Sequence, residues 1–335
     1  HAPLGGKVHT GRSRHDQDAV AMRLYLKAPL DTLHKLCVTI AHTLLDRARR
    51  EADLPMPGYT LLQRAMPSSV GLWLAGHGEA FIDNAALARQ TRDWLDASPL
   101  GTASGFGVNL PLARDAVAEE LGFDRLVVNP QYAQNSRGKV ELQALAALGA
   151  ATGDLRRLAW DLSLFTTSEF DFVRFPDGWC TGSSIMPNKR NPDVVELLRA
   201  AHAVTVGARA ELEGVLSLPS GYQRDLQATK PPVLRAFRSG LQALGLAPDL
   251  LAALSWNEEA MTAAIEPALF ATDLSVELAR EGIPFRDAYR EVGARLEDMQ
   301  AEDVAESLEN RVSPGACGAL ELDRLAARLR AIEEK

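Results

Sequence analysis

The sequence predicts an all-α protein organised as a long helical bundle. Three observations predict it. Apolar residues recur at helical spacing through five segments of about 25–37 residues, far longer than the globular mean of ~11–12. No segment shows the period-two alternation of a half-buried strand. The 335 residues contain neither a repeat of fixed period nor a low-complexity stretch, so a solenoid is not indicated. Helices this long suit a bundle, often one shared between subunits.

The elements follow in order. Residues 1–17 are polar, contain glycine and lack periodicity. A first long helix is expected from about Asp16 to Ala52, striped by Val20, Leu26, Leu30, Leu33, Ile40 and Leu44. His34 and His42 lie within it and read as ordinary helix residues, because no His-Glu-x-x-His pattern is present. Pro55-Met56-Pro57-Gly58 breaks that helix. A second long helix is expected over Pro67 to Ala97, followed by a glycine-rich loop at Ser98 to Pro111 and a short helix near Leu112 to Leu121. That loop carries no G-x-G-x-x-G between a strand and a helix, which argues against a dinucleotide. The third long helix spans about Lys139 to Thr167, the fourth Pro192 to Leu216 and the fifth Leu226 to Leu254. Ser255 with Glu258 reads as a capping box. Shorter helices are expected near Asn257–Ala264, Ala271–Glu281, Pro284–Ala301 and Leu320–Ile332.

Three stretches carry chemistry. The first is Thr181-Gly182-Ser183-Ser184-Ile185-Met186-Pro187-Asn188-Lys189-Arg190-Asn191-Pro192-Asp193. Two hydroxyls and two cations precede a helix start, with Asn191 as N-cap and Pro192 at the first helical position. Asp193 and Glu196 fall in the first turn, where the helix dipole favours negative charge. Such a loop is suited to holding an anion, although Ser-Ser and Lys-Arg pairs are also common on plain surfaces. The second is Gly11-Arg12-Ser13-Arg14-His15-Asp16. Its arginines beside a helix start can clamp a carboxylate, or merely cap the helix. The third, Tyr222-Gln223-Arg224-Asp225-Leu226-Gln227-Ala228-Thr229-Lys230, reads on its own as a helix N-terminus with mixed charges.

Gly182, Ser183, Ser184, Met186, Pro187, Lys189 and Asn191 fill every fixed position of the pattern Gly-Ser-Ser-x-Met-Pro-x-Lys-x-Asn, so the chain resembles the fumarase/aspartase superfamily. Within it the chain is most similar to the argininosuccinate lyases. Tyr222 to Lys230 matches their Tyr-x-(Lys/Arg)-Asp-Leu-Gln-x-x-Lys, and His9 to Gln17 matches His-Thr-Gly-Arg-Ser-Arg-Asn-Asp-Gln except at His15. The resemblance runs from about Gly5 to Val292. It implies a bundle of the fumarase/aspartase type, with residues 1–11 a remnant of an N-terminal domain that is otherwise missing. Residues 12–262 would form the central bundle, and residues 263–335 a small C-terminal helical domain. It also implies a homotetramer whose active sites draw on more than one subunit.

The implied activity is elimination of fumarate from argininosuccinate to give arginine, in arginine biosynthesis. Ser183 is the implied base, Lys189 and Asn191 stabilise the carbanion, and Glu196 supports the acid partner. Ser13, Arg14, His15, Thr60, Gln63, Tyr222, Gln227 and Lys230 are the implied substrate contacts. No metal or organic cofactor is implied. Two departures stand out. The family's Gly-Tyr-Thr-His-x-Gln-Arg-Ala is met here by Gly58-Tyr59-Thr60-Leu61-Leu62-Gln63-Arg64-Ala65, so its acid/base histidine is Leu61. Leucine cannot transfer a proton. Gln134-Asn135-Ser136-Arg137-Gly138-Lys139 is basic where many relatives are acidic. Leu61 and His15 point to an alternative, a catalytically silent relative like the lens crystallins recruited from this family. Another fumarate-releasing lyase of the superfamily, acting on adenylosuccinate or aspartate, is disfavoured by Arg224-Asp225-Leu226-Gln227.

Composition agrees with these expectations. A net charge of −8 argues against nucleic acid or an anionic membrane as partner. No apolar run reaches membrane-spanning length. The three cysteines, Cys37, Cys180 and Cys317, show no paired spacing, which suggests a reducing compartment, and no signal peptide is visible, so a cytoplasmic location is expected.

Overall fold

The computed structural model describes residues 6–300 and 302–334. The first five residues and the expected helix end at Ala301 lie outside the described residues. The chain divides into two compact units, residues 1–38, 83–157 and 197–247 in the first and residues 39–82, 158–196 and 248–335 in the second.

Helices dominate, and the five long ones are present. They are α1 (Arg14–Arg50), α2 (Val70–Leu95), and, after the short α3 (Arg114–Glu120) and α4 (Pro130–Asn135), α5 (Lys139–Phe165), α6 (Asp193–Val215) and α7 (Lys230–Ala253). The long ones run 37, 26, 27, 23 and 24 residues. Although Leu24, Leu87, Trp160, Leu197 and Val206, expected in their apolar stripes, are exposed, much of the stripes is buried: Leu26, Leu30 and Leu33 of α1 have no exposure, nor do Leu145, Leu148 and Leu155 of α5. Truncating any one to alanine is expected to cost roughly 2–5 kcal/mol. Shorter helices follow: α8 (Glu258–Ala263), α9 (Ala271–Arg280), α10 (Phe285–Gly293), α11 (Val304–Glu309) and α12 (Leu322–Glu333).

In the first unit, Val20, Leu100, Ala118 and Phe123 pack α1 against α3 and the loop before it. Asp16 fixes that loop: its buried carboxylate accepts the Ser13 amide at 3.1 Å, Gly101 at 3.0 Å and Ala103 at 3.1 Å. Gly101 (φ +80°) and Gly105 (φ +104°) adopt the left-handed backbone that lets the loop fold back on this carboxylate. In the second unit, Ile265, Leu269 and Phe270 form a small core beneath Met299 and Val304.

Five local expectations are corrected. Residues 55–69 form an antiparallel hairpin, β1 (Pro55–Thr60) with β2 (Gln63–Ser69), where no strand was expected. Consequently α2 begins at Val70, three residues after the expected Pro67. Prolines 55, 57 and 67 disguise the strands, because proline is confined to edges in sheets. Six two-residue bridging strands occur in loops among the described residues: in the first unit β3 (Ala97–Ser98) pairs with β4 (Arg125–Leu126), and in the second β5 (Val173–Arg174) pairs with β8 (Ser255–Trp256) and β6 (Thr181–Gly182) with β7 (Arg190–Asn191). The Ser255–Glu258 capping box does not form. Ser255 is engaged in β8, and Asn257 caps α8 by accepting from the Ala260 amide. The Arg224–Thr229 segment is a 3-10 helix rather than the start of α7. Finally, the helix expected to run to Ala301 ends at Gly293, and α4 and α11 were not foreseen.

Candidate active site

The predicted residues fall into three local groups. In the first unit Ser13, His15, Tyr222, Gln227 and Lys230 gather around the start of α1. The 3-10 turn places Gln227 and Lys230 three residues apart and therefore on one side. Gln227 Nε2 donates to Asp18 Oδ2 at 3.0 Å and to the Tyr222 hydroxyl at 3.2 Å. Lys230 Nζ donates to Gln227 Oε1 at 2.9 Å and pairs with Asp18 Oδ1 at 3.2 Å. Burial would raise the Asp18 carboxyl, but the hydrogen bonds from Gln227 and Lys230 outweigh it and hold the group below its ordinary value. The His15 imidazole stacks on the Tyr222 ring, 3.4 Å between centroids and 19° between planes. Its pKa is lowered first by burial and then by the positive charge of Arg137, so it is neutral at pH 7. Ser13 Oγ lies 3.1 Å from Ser104 Oγ and accepts the His15 amide at 3.2 Å, while Arg14 is exposed beside them. A cleft of about 430 Å³ opens next to this network, lined in part by Asn135, Arg137, Ser220 and Leu226.

In the second unit lies the signature loop. Thr181–Gly182 pairs with Arg190–Asn191, which closes the loop at its base. Asn191 is therefore a strand partner of Thr181 rather than the expected N-cap, and α6 begins at Asp193, whose carboxylate accepts from Thr181 Oγ1 at 2.9 Å. Ser183 Oγ accepts two backbone amides, Ile185 at 3.3 Å and Met186 at 3.0 Å. A serine oxygen holding two N–H donors is set up to bear negative charge, since such donors favour the anion over the neutral hydroxyl. Lys189 is exposed, with its amide closing a turn onto the Met186 carbonyl at 3.0 Å, and Glu196 is exposed in the first turn of α6.

Thr60 and Gln63 occupy a third place, the tip of the β1–β2 hairpin, and both are exposed. Between them Leu61 (φ 52°) and Leu62 (φ 59°) make the two-residue turn in left-handed backbone. Asn-Gly is the usual occupant of such a turn. Leu61 is 96% exposed, so no packing accounts for it.

Sequence reasoning did not identify Asp18, Arg137 or Glu141, although they hold the first group together. Asp18 is separated from Gln227 by 209 positions, and only the fold reveals the pairing. The basic character of residues 134–139 was the one available signal for Arg137.

Comparison with known proteins places this geometry. A family model described as Lyase matches residues 1–207. The argininosuccinate lyase of Stenotrophomonas maltophilia strain R551-3 is 56% identical over 329 residues, covering 98% of this chain and 76% of that protein. The chain belongs to the argininosuccinate lyase family. The argininosuccinate lyase of Xanthomonas campestris pv. campestris strain B100 is likewise 56% identical, over 98% of this chain and 77% of that protein. Among solved structures, EDDS lyase in complex with formate superposes with a TM-score of 0.89 at 24% identity, over 98% of this chain and 74% of that one. The 3-carboxy-cis,cis-muconate lactonizing enzyme of Pseudomonas putida gives a TM-score of 0.75 at 24% identity, over 97% and 76%. These likenesses establish the all-α fold of the fumarase/aspartase superfamily, as the sequence predicted.

Proposed function

We propose that the chain catalyses the reaction of its family, eliminating fumarate from argininosuccinate to leave arginine. The observation that carries this reading is the pair of backbone amides on Ser183 Oγ. The reaction begins when a base removes a weakly acidic proton from the carbon next to a carboxylate. Ser183 is the proposed base, its alkoxide supported by the Ile185 and Met186 amides. Lys189, Asn191 and the N-terminus of α6 stabilise the charge that develops on the carboxylate. The C–N bond then breaks, and the departing guanidine takes a proton. Glu196 belongs to that acid side of the site. Ser13, Arg14, His15, Tyr222, Gln227 and Lys230 hold the substrate's carboxylates and its guanidine-bearing arm, joined by Thr60 and Gln63.

Assembly as a homotetramer with shared sites is part of this reading, as is a cytoplasmic role in arginine biosynthesis. Exposed Leu87, Leu197, Val206, Leu234 and Leu246 on the long helices support burial against other copies. One observation favours a second reading, a catalytically impaired relative: Leu61 stands at the histidine position and points into solvent.

Ultraviolet absorbance of fumarate tests the proposal, using purified protein with argininosuccinate and with adenylosuccinate and aspartate as controls. Fumarate from argininosuccinate alone is the expected result. Its absence from an intact oligomer overturns the lyase reading in favour of the silent relative.

A further inference from the structure

Two side chains pack on the Tyr222 ring. His15 stacks on it, and the Arg137 guanidinium lies over it 5.4 Å from its centroid. Arg137 is 8% exposed, and its Nη1 is buried with no hydrogen-bond partner among the described residues. A buried arginine with an unpaired N–H calls for an explanation, because leaving such a group unmet is costly. The ring supplies one: the guanidinium carbon lies over the aromatic face, whose quadrupole attracts a cation.

The local backbone is shaped to keep it there. Gly138 follows Arg137 with φ +80°, a backbone that favours glycine, and a Cβ at that position would meet Leu216 Cδ2 at 2.1 Å and displace that side chain. The Gly138 amide donates to Glu141 Oε2 at 2.6 Å. Glu141 is wholly buried between the positive charges of Arg137 and Arg23; burial raises its carboxyl, and the Glu141 and Gly138 amides together with those charges act against the rise. Arg23 anchors the same turn by donating to Ser136 Oγ at 3.2 Å and to the Leu95 carbonyl at 3.0 Å. The hydroxyl end of Tyr222 meets Gln227. The ring is thus held by His15 and Arg137, and its hydroxyl by Gln227.

We propose that Arg137 is a positioning residue for the reaction, holding the Tyr222 ring together with His15 so that its hydroxyl and Gln227 meet the substrate in one orientation. This rests on the proposed substrate contact of Tyr222. Arg137 acts by holding the ring, and no bond of its own to substrate is required.

The test is a double-mutant cycle on fumarate release from argininosuccinate, with Arg137→Met, Tyr222→Leu and the double variant. Arg137→Met is expected to raise KM roughly tenfold while kcat stays within about threefold. In the Tyr222→Leu background the same change is expected to alter kcat/KM by less than about twofold. A role in folding alone would reduce the active fraction and hence kcat, leaving KM unmoved. Should Arg137→Met fail to fold, Arg137→Lys carries the same cycle, since it keeps the charge and loses the plane. Equal losses in both backgrounds, or an unchanged KM, overturn the proposal. Absence of turnover in the unaltered protein would instead overturn the functional reading on which it rests.

Discussion

The Tyr222 cluster and the signature loop are built in opposite ways. In the cluster, side chains from distant parts of the chain satisfy one another: Asp18 with Lys230 and Gln227, His15 with the Tyr222 ring. In the loop, Ser183 is served by amides two and three residues ahead, and Thr181 by Asp193. Half-buried Asp18, Tyr222, Gln227 and Lys230 contrast with exposed Ser184, Lys189 and Glu196. The difference teaches that one region owes its geometry to tertiary packing and the other to its own backbone. Substitutions in the cluster therefore propagate to stability and to neighbours, whereas substitutions in the loop remain chemical.

The largest effect expected is in the loop. Ser183→Ala should lower fumarate release by roughly 10³-fold or more, while unfolding stability changes by no more than an ordinary surface substitution, about 0.5 kcal/mol. A large drop in melting temperature would break the comparison. Next comes the hairpin tip. Leu61→His restores an imidazole, and because a positioned acid is worth ~10²–10⁴-fold, kcat should rise at least about tenfold. Leu61→Asn is the control. It suits the left-handed backbone and should add roughly 0.5–1 kcal/mol of stability without raising kcat. A rate gain from both variants would show that the turn, not the imidazole, was limiting.

The cluster gives smaller, coupled effects. Lys230→Met should cost about 1–2 kcal/mol in denaturant unfolding, because it leaves the half-buried Asp18 carboxylate with Gln227 alone. Combining it with Asp18→Asn should recover part of that loss, and strict additivity would argue against a network. The smallest expected effect is the pH dependence of His15. Its folded pKa lies below the ordinary 6.5, so on acidification the unfolded chain takes up the proton first. The contribution of His15 to stability is accordingly complete above that value and declines as pH falls toward the folded pKa. Between about pH 7.5 and 5.5 the unaltered protein should lose more stability than His15→Asn does. Equal losses would remove His15 from the account.

Much of the fold and part of the site were legible because they are local. The long helices announced themselves through apolar spacing, and the signature loop through seven fixed residues between Gly182 and Asn191. The hairpin was hidden, since Pro55, Pro57 and Pro67 suppress any strand pattern and leucines replace the usual turn residues. Ser255 was a plausible cap until pairing with Arg174 drew it into a strand and left Asn257 to cap α8. The second outcome depends on a partner 81 positions away in the sequence.

By itself, then, the sequence determined the all-α class, the five long helices, the family and the loop around Ser183, because helix periodicity and short-range hydrogen bonding are properties of neighbouring residues. Tertiary structure alone decided that Asp18 answers Lys230 and Gln227, that Arg137 and His15 pack on Tyr222, and that Leu61 stands exposed at a strained turn. Those facts depend on contacts between segments up to about two hundred positions apart, which only the folded chain brings within the few ångströms over which hydrogen bonds and ring contacts act.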